Sequence, residues 1–118
     1  MLPSRHRMRR GSDFTRAVRT GRRAGRRTVA LHLHVEPRSS ADALVGFVVS
    51  KAVGTAVARN RSKRRLRALV AARIDRVPAG ALLVVRANPA AAGATAAELD
   101  ADLEGALRKV LPRTEVAP

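Results

Sequence analysis

The chain contains no cysteine, tryptophan or tyrosine, and only two phenylalanines, Phe14 and Phe47. Without thiols it forms neither disulfides nor thiolate metal sites. Two rings are too few for the aromatic platform on which an RNA-recognition sheet stacks successive bases. Acids are also scarce: nine Asp and Glu stand against 24 Lys and Arg, a formal net charge of +15. No stretch approaches the ~18 consecutive apolar residues of a membrane span. The opening "MLPSRHRMRRGSDF" is basic but lacks the apolar run of a secretory signal. These absences are read as a cytoplasmic protein with no membrane partner. At 118 residues, the chain suffices for one compact domain and not for two.

What is abundant is positive charge, unevenly spread. Residues 1–97 carry 21 basic and 4 acidic groups, net +17, whereas 98–118 carry 3 and 5, net −2. So much like charge repels itself and marks a polyanionic partner, which meets the first four-fifths of the chain. Of the 24 cations, 21 are Arg, whose guanidinium pairs phosphate bidentately and stacks on bases. GC-rich coding also favours Arg, so the Arg-to-Lys ratio has two explanations; the net charge is explained by neither codon bias nor a core. The densest stretch is "AVARNRSKRRLR" (56–67), where six of twelve residues are basic and none is acidic.

Periodicity assigns the elements. "SDFTRAVRTG" (12–21) predicts a short helix with a Ser cap, Phe14, Ala17 and Val18 on one face and Gly21 as its stop. "GRRAGRR" (21–27) is expected to be a mobile basic connection. "TVALHLHVE" (28–36) alternates, with Val29, Leu31, Leu33 and Val35 opposite Ala30, His32 and His34, as in a half-buried strand. "ALVGFVVS" (43–50) predicts a second strand hairpinned to the first. A helix capped by Thr55 is expected to run to about Ile74, with Leu66, Leu69, Val70 and Ile74 inward and Asn60, Arg61, Arg64 and Arg65 outward. "ALLVVRA" (81–87) is a third strand. Thr95 and Glu98 form a capping box for a last helix that turns Leu99, Leu103, Ala106, Leu107 and Val110 inward. The order α-β-β-α-β-α makes one α+β domain over 1–118, with the basic segment 1–11 a candidate for disorder.

Catalytic chemistry is hard to assemble. His32 and His34 share a strand face, but no third metal ligand accompanies them. Glu98, Asp100, Asp102 and Glu104 fall into two i,i+4 pairs on different sides of a helix, a solvated face rather than a metal cluster. There is no credible Ser/His/Asp relay and no phosphate-cradling glycine pattern.

"VGFVVSKAVGTAVARNRSKRRLR" (45–67) resembles the signature of the bacterial ribonuclease P protein subunit: a strand ending G-[FL]-x-V-[SA]-K, then V-G-x-A-V-x-R-N-R-x-K-R-x-x-R. The motif covers about a fifth of the chain, and the element order, the basic N-terminus and Asp13-Phe14 extend the match. The resemblance implies an αβββαβα fold, one strand more than the periodicity finds, with a left-handed βαβ crossover. It implies a holoenzyme in which an RNA subunit is the catalyst and removes 5′ leaders from precursor tRNA with Mg2+ bound mainly by that RNA. The protein would have no catalytic residue, no metal site and no obligate protein partner.

The same resemblance implies two RNA surfaces. Arg59, Asn60, Arg61, Lys63, Arg64, Arg65 and Arg67 match the family's docking motif for the catalytic RNA. Arg59 also falls near Leu66 on the helix and is a candidate brace for the strand end. Phe14, His32, Val48, Ser50, Lys51 and Arg86 match a cleft for the single-stranded leader. Val18, His32 and Ala52 stand where an aromatic, a Tyr and a Lys are common, and Arg86 is one place early; these departures bear on the leader more than on docking. Phe47, in phase with Val45 and Val49, is assigned to the core. A ribosomal or general structured-RNA-binding protein would share the basic helix. A DNA-binding regulator would want a helix-turn-helix, which the flanking strands oppose, and a self-sufficient nuclease would need a carboxylate or His cluster.

Overall fold

A computed structural model describes residues 2–112; Arg113 and Glu115, counted above in the acidic tail, lie outside them. The regular elements are α1 (Gly11–Thr20), β1 (Arg22–Gly25), β2 (Val29–Val35), β3 (Leu44–Val49), α2 (Ala56–Ala71), β4 (Ala81–Ala87) and α3 (Ala96–Val110). Single 3-10 turns occupy Ser4–His6, Lys51–Val53, Ile74–Arg76 and Pro89–Gly93. The α+β class and the αβββαβα order both hold.

The strand missing from the periodicity is β1. "GRRAGRR" is no mobile connection: Arg22 to Gly25 pair antiparallel with Leu33 to Ala30, and Ala24 is buried. One apolar residue among arginines and glycines carries little strand signal, so pairing to β2 imposes the conformation.

The four strands lie in the order β1-β2-β4-β3. β4 separates β2 from β3, antiparallel to the first and parallel to the second, so the expected β2–β3 hairpin does not form. A parallel neighbour needs a long crossover, and α2 between β3 and β4 supplies it. β4 is apolar along nearly its whole length, which suits a central strand covered on both faces.

One face of the sheet carries the main core. Leu66 and Val70 of α2 and Leu99, Leu103, Ala106, Leu107 and Val110 of α3 pack there on Val29, Leu31, Leu33, Val45, Leu83 and Val85. Each fully buried Leu contributes about 1.5–3 kcal/mol, so α3 is much the better anchored of the two helices. α2 runs only to Ala71 before a 3-10 turn at Ile74–Arg76, about one turn short of the expected end. Its Thr55 hydroxyl accepts from Ala58 N, and α3 has the full Thr95–Glu98 capping box.

The other face is covered in part by α1. Ala17 of α1, Met8 and Val84 form a second small core, with Phe14, Leu44, Val48 and Leu82 packed on it. β2 is therefore buried on both faces, against the half-buried expectation. α1 starts at Gly11 after Arg10, with no side-chain cap, so Ser12 is inside the helix. The N-terminal segment, a candidate for disorder, packs on the sheet from Leu2 onward. Leu2 and Met8 are buried, and Met8 N donates to Val45 O at 2.9 Å beside an Arg7–Val45 bridge. Two apolar residues and an edge-strand hydrogen bond hold it down, despite its charge.

Candidate nucleic-acid interface

α2 buries only Ser62, Leu66 and Val70, and its remaining circumference carries the motif residues. A 100° step per residue divides these into three directions. Arg59, Asn60, Lys63 and Arg67 turn toward the β3 edge. Arg59, Asn60 and Lys63 line a cleft of ≈ 530 Å³ with Phe47, Val48 and Val49. Lys63 and Arg67 line a second cleft, of ≈ 250 Å³, with Arg7, Arg9 and Phe14. Arg61 and Arg64 are exposed and face away from the sheet. Arg65 goes the third way: its Nη1 donates to Ala94 O at 3.2 Å, tying α2 to the start of α3.

Arg59 is half-buried, and its Nε is buried without a partner. It stands at the strand end where a brace was expected. Among the described residues, none of the six cations from Arg59 to Arg67 pairs with a carboxylate. The N-terminal Arg7 and Arg9 join this surface, a contribution sequence reasoning missed because the segment was set aside as a candidate for disorder.

The acids instead hold the scaffold. Glu104 accepts from Arg73 Nε at 3.0 Å, from Arg76 at 2.7 and 3.0 Å, and from Arg108 Nε at 2.7 Å. Bonding to Arg76 and Arg73 before all else holds its carboxyl down to about 2. Asp100 accepts from Arg73 and Glu98 from Arg27, both at 2.5 Å. Asp102 Oδ2 accepts from the Thr28 hydroxyl and amide at 2.6 and 3.1 Å. Three of these carboxylates are in ion pairs and the fourth is hydrogen-bonded to Thr28, so the face is tied to the scaffold rather than simply solvated as expected. Glu98, Asp100 and Glu104 each pair with an arginine from outside α3, and Asp102 is held by Thr28.

The cleft residues occupy the sheet face that α1 leaves partly open. His32 pairs in register with Val84, and Val84 with Gly46; Ala30 pairs with Arg86, and Arg86 with Val48. The Phe14 ring lies directly on Gly46, where a Cβ would collide with it, and against Met8. Phe14 and Val48 are half-buried, whereas Arg86, Ser50 and Lys51 are exposed. Thus Phe14, His32, Val48 and Arg86 share one surface. Ser50 continues it past β3, and Lys51 turns away into a 3-10 turn. Phe47 faces the main core and is partly buried there, as assigned.

His32, on the face a half-buried strand would leave open, is only 7% exposed. Burial first, then Arg23 and Arg86, pushes its imidazole below the ordinary value, and its Nδ1 has no hydrogen-bond partner. His34 is engaged with the Thr20 hydroxyl at 3.1 Å and Glu36 at 3.0 Å. Two guanidiniums beside His32 repel a cation, so the pair does not fit a metal. Among the described residues no three His, Asp or Glu side chains converge as a ligand set. Nor, among them, is any helix long and apolar enough to cross a membrane.

Comparison with known proteins agrees with this geometry. The family model described as Ribonuclease P matches residues 2–111. The chain is 56% identical over 111 residues to a ribonuclease P protein component from Nocardioides sp., covering 93% of this chain and 95% of that one. A second, from Streptomyces bikiniensis, is 50% identical over 118 residues, covering 94% and 96%. Among solved structures, the Staphylococcus aureus RNase P protein superposes with a TM-score of 0.79 at 26% identity, covering 91% of this chain and 98% of that one. The Thermotoga maritima RNase P protein shares the fold, with a TM-score of 0.71 at 21% identity and coverage of 94% and 99%.

Proposed function

The chain belongs to the ribonuclease P protein family, the protein subunits of an RNA-based endoribonuclease in tRNA processing, and from that premise we propose how its two surfaces divide the work. The α2 surface docks on the ribonuclease P RNA. Arg61, Arg64, Arg67, Lys63, Asn60 and Arg59 meet phosphates there, and Arg65 adds charge while fastening α2 to the scaffold. The observation that carries this is the acid-free face itself: six cations on three helical turns that no carboxylate of the described scaffold neutralises. Phosphates would neutralise them, and the displaced counterions would drive association.

The second surface takes the single-stranded 5′ leader of precursor tRNA. The Phe14 ring, seated on the Gly46 backbone, offers a face for one base, and half-buried Val48 leaves room for the chain to lie flat. Arg86 and Ser50 supply phosphate and ribose contacts, and Lys51, in the turn past β3, adds positive charge at the end of the path. His32, buried and neutral beside two arginines, shapes the floor of the cleft rather than acting as an acid or base. One ring and little hydrogen-bond readout suit a leader gripped with low sequence preference.

Hydrolysis itself needs nothing from these side chains. The carboxylates best placed to hold magnesium are already committed to Arg27, Thr28, Arg73, Arg76 and Arg108. They do not fit a resident ion, so Mg2+ is assigned to the RNA. This chain's part is to screen repulsion between two RNAs and to hold the leader. We place it in the cytoplasm with those RNAs.

The test is precursor-tRNA cleavage by the catalytic RNA at low magnesium, with and without the protein. Cleavage restored by the protein is the expected result. Tight RNA binding without restoration would overturn the reading in favour of a general RNA-binding protein.

A further inference from the structure

The leader surface as described stops at β2, but the sheet does not. β1 forms its edge, and Arg23 stands there directly opposite His32 in the register. Ala24 points into the main core, so Arg23 and Gly25 face the same side as His32, Arg86 and Phe14. The Arg23 guanidinium folds back along its own strand: its nitrogens lie 3.5 and 3.6 Å from where a Cβ on Gly25 would stand. It therefore leans toward Gly25, whose register partner is Ala30, and Ala30 is in turn the partner of Arg86.

The result is two exposed guanidiniums on either side of a floor with almost no side chains. Gly25 offers backbone and Ala30 a buried methyl. Beside the floor sits His32, 7% exposed with an unpartnered Nδ1. Neither arginine is bonded to a carboxylate among the described residues, in contrast to Arg73 and Arg76 of the scaffold. Two cations flanking a small-residue floor fit a tetrahedral oxyanion with chain leaving on both sides. A base or a folded duplex would need either a ring to stack on or a broader surface.

We propose that Arg23 and Arg86 clamp one phosphodiester of single-stranded RNA over Gly25 and Ala30, extending the leader path to the β1 edge. This rests on the leader reading above and deepens it. The bound leader crosses all four strands rather than three, and Arg23 fixes a phosphate farther along the path than the base on Phe14. The clamp reads backbone only, so it adds affinity without sequence preference.

The test uses reconstituted holoenzyme and precursor tRNAs whose leaders grow one nucleotide at a time. Wild-type affinity is expected to rise with leader length in steps. Arg23→Gln should abolish one step, a loss of about tenfold, and bind shorter leaders like the wild type. Arg22→Gln removes the same charge from the neighbouring position, whose side chain points to the other face, and should retain every step. A single methylphosphonate in the leader should weaken wild-type binding at one position and leave Arg23→Gln indifferent there. Arg23→Lys, which keeps the charge but not the fork, should recover part of the step.

Equal loss by Arg23→Gln at all lengths, or equal loss by Arg22→Gln, would overturn the clamp in favour of general attraction. If Phe14→Ala removes leader dependence and Arg23→Gln does not, the clamp fails and the leader reading stands. If wild-type affinity ignores leader length altogether, both fail.

Discussion

Two helices cover the same face of the sheet. α2 holds six Lys and Arg between residues 59 and 67 with no carboxylate partner among the described residues; α3 holds four acids, all of them bonded. The same side chain, arginine, serves both. Arg73 is half-buried and bonded to Asp100, Glu104 and the Leu69 carbonyl, and so is part of the scaffold. Arg64, three helical turns away at most, is exposed with no such partner. Net charge alone does not separate the two uses. The location of the few acids does: they gather on α3, neutralise the arginines that the fold needs fixed, and leave the rest for an external polyanion.

This contrast is broken most directly by removing outward charge. Arg61→Gln with Arg64→Gln should weaken binding to the catalytic RNA by about a hundredfold at low salt, if each removes one charge-assisted phosphate contact. The slope of log affinity against log salt should fall by about 1.8. Filter binding across a salt series measures both, and thermal melting should show the isolated domain no less stable, since only repulsion is lost. A large loss of stability would make these residues scaffold and sink the distinction.

The converse change is Glu104→Gln. It leaves Arg73, Arg76 and Arg108 without a shared carboxylate and should destabilise the domain by about 1–3 kcal/mol, between exposed and buried ion pairs. Glu104 titrates in the fold at about 2, lowered from 4.5. The depressed value means its contribution is complete above 4.5 and is lost as pH falls toward 2. Urea denaturation of wild type and variant should therefore diverge at pH 6 and converge near pH 2. A gap that persists unchanged at pH 2 would show that the ion pairs are not its source.

The leader surface can be sharpened with less damage. Gly46→Ala sets a Cβ into the Phe14 ring, so the ring must leave its place on β3. Its expected effect is a severalfold loss of affinity for leader-bearing precursor over mature tRNA, with docking on the catalytic RNA intact. Competition binding with the two tRNAs reads this, and equal loss for both would take Phe14 out of the leader path.

How much of this the sequence carried depends on whether the signal was local. α3 was legible because its capping box and its inward Leu99, Leu103 and Leu107 all lie on one continuous segment. The motif residues of α2 were legible as a group, but not their three directions. Arg65's bond to Ala94 depends on where the Pro89–Gly93 turn comes to rest. Strand order was not legible, because β4's choice of neighbours is decided by α2's crossover and by burial on both faces. β1 and Arg23 were hidden most completely: a strand of two arginines, an alanine and a glycine exists only because β2 pairs with it. His32 looked half-exposed because alternation cannot announce that α1 will cover the polar face.

The smallest predicted effect concerns how the two helices begin. α3 closes its first turn with Thr95 and Glu98 bonding reciprocally, whereas Thr55 of α2 has Ala58 where the reciprocal acid would stand. An acid there would complete the box and favour the helix dipole, by about 0.5–1 kcal/mol. It would also place a negative charge one residue before Arg59. Ala58→Glu is therefore expected to raise the melting temperature slightly while weakening binding to the catalytic RNA a fewfold, an effect that shrinks as salt screens it. Stability gained with RNA affinity unchanged would mean that the absence of acid from the start of α2 has no bearing on its partner. The two changes moving in opposite directions would show that α2 forgoes a cap of its own kind to keep its surface free for phosphate.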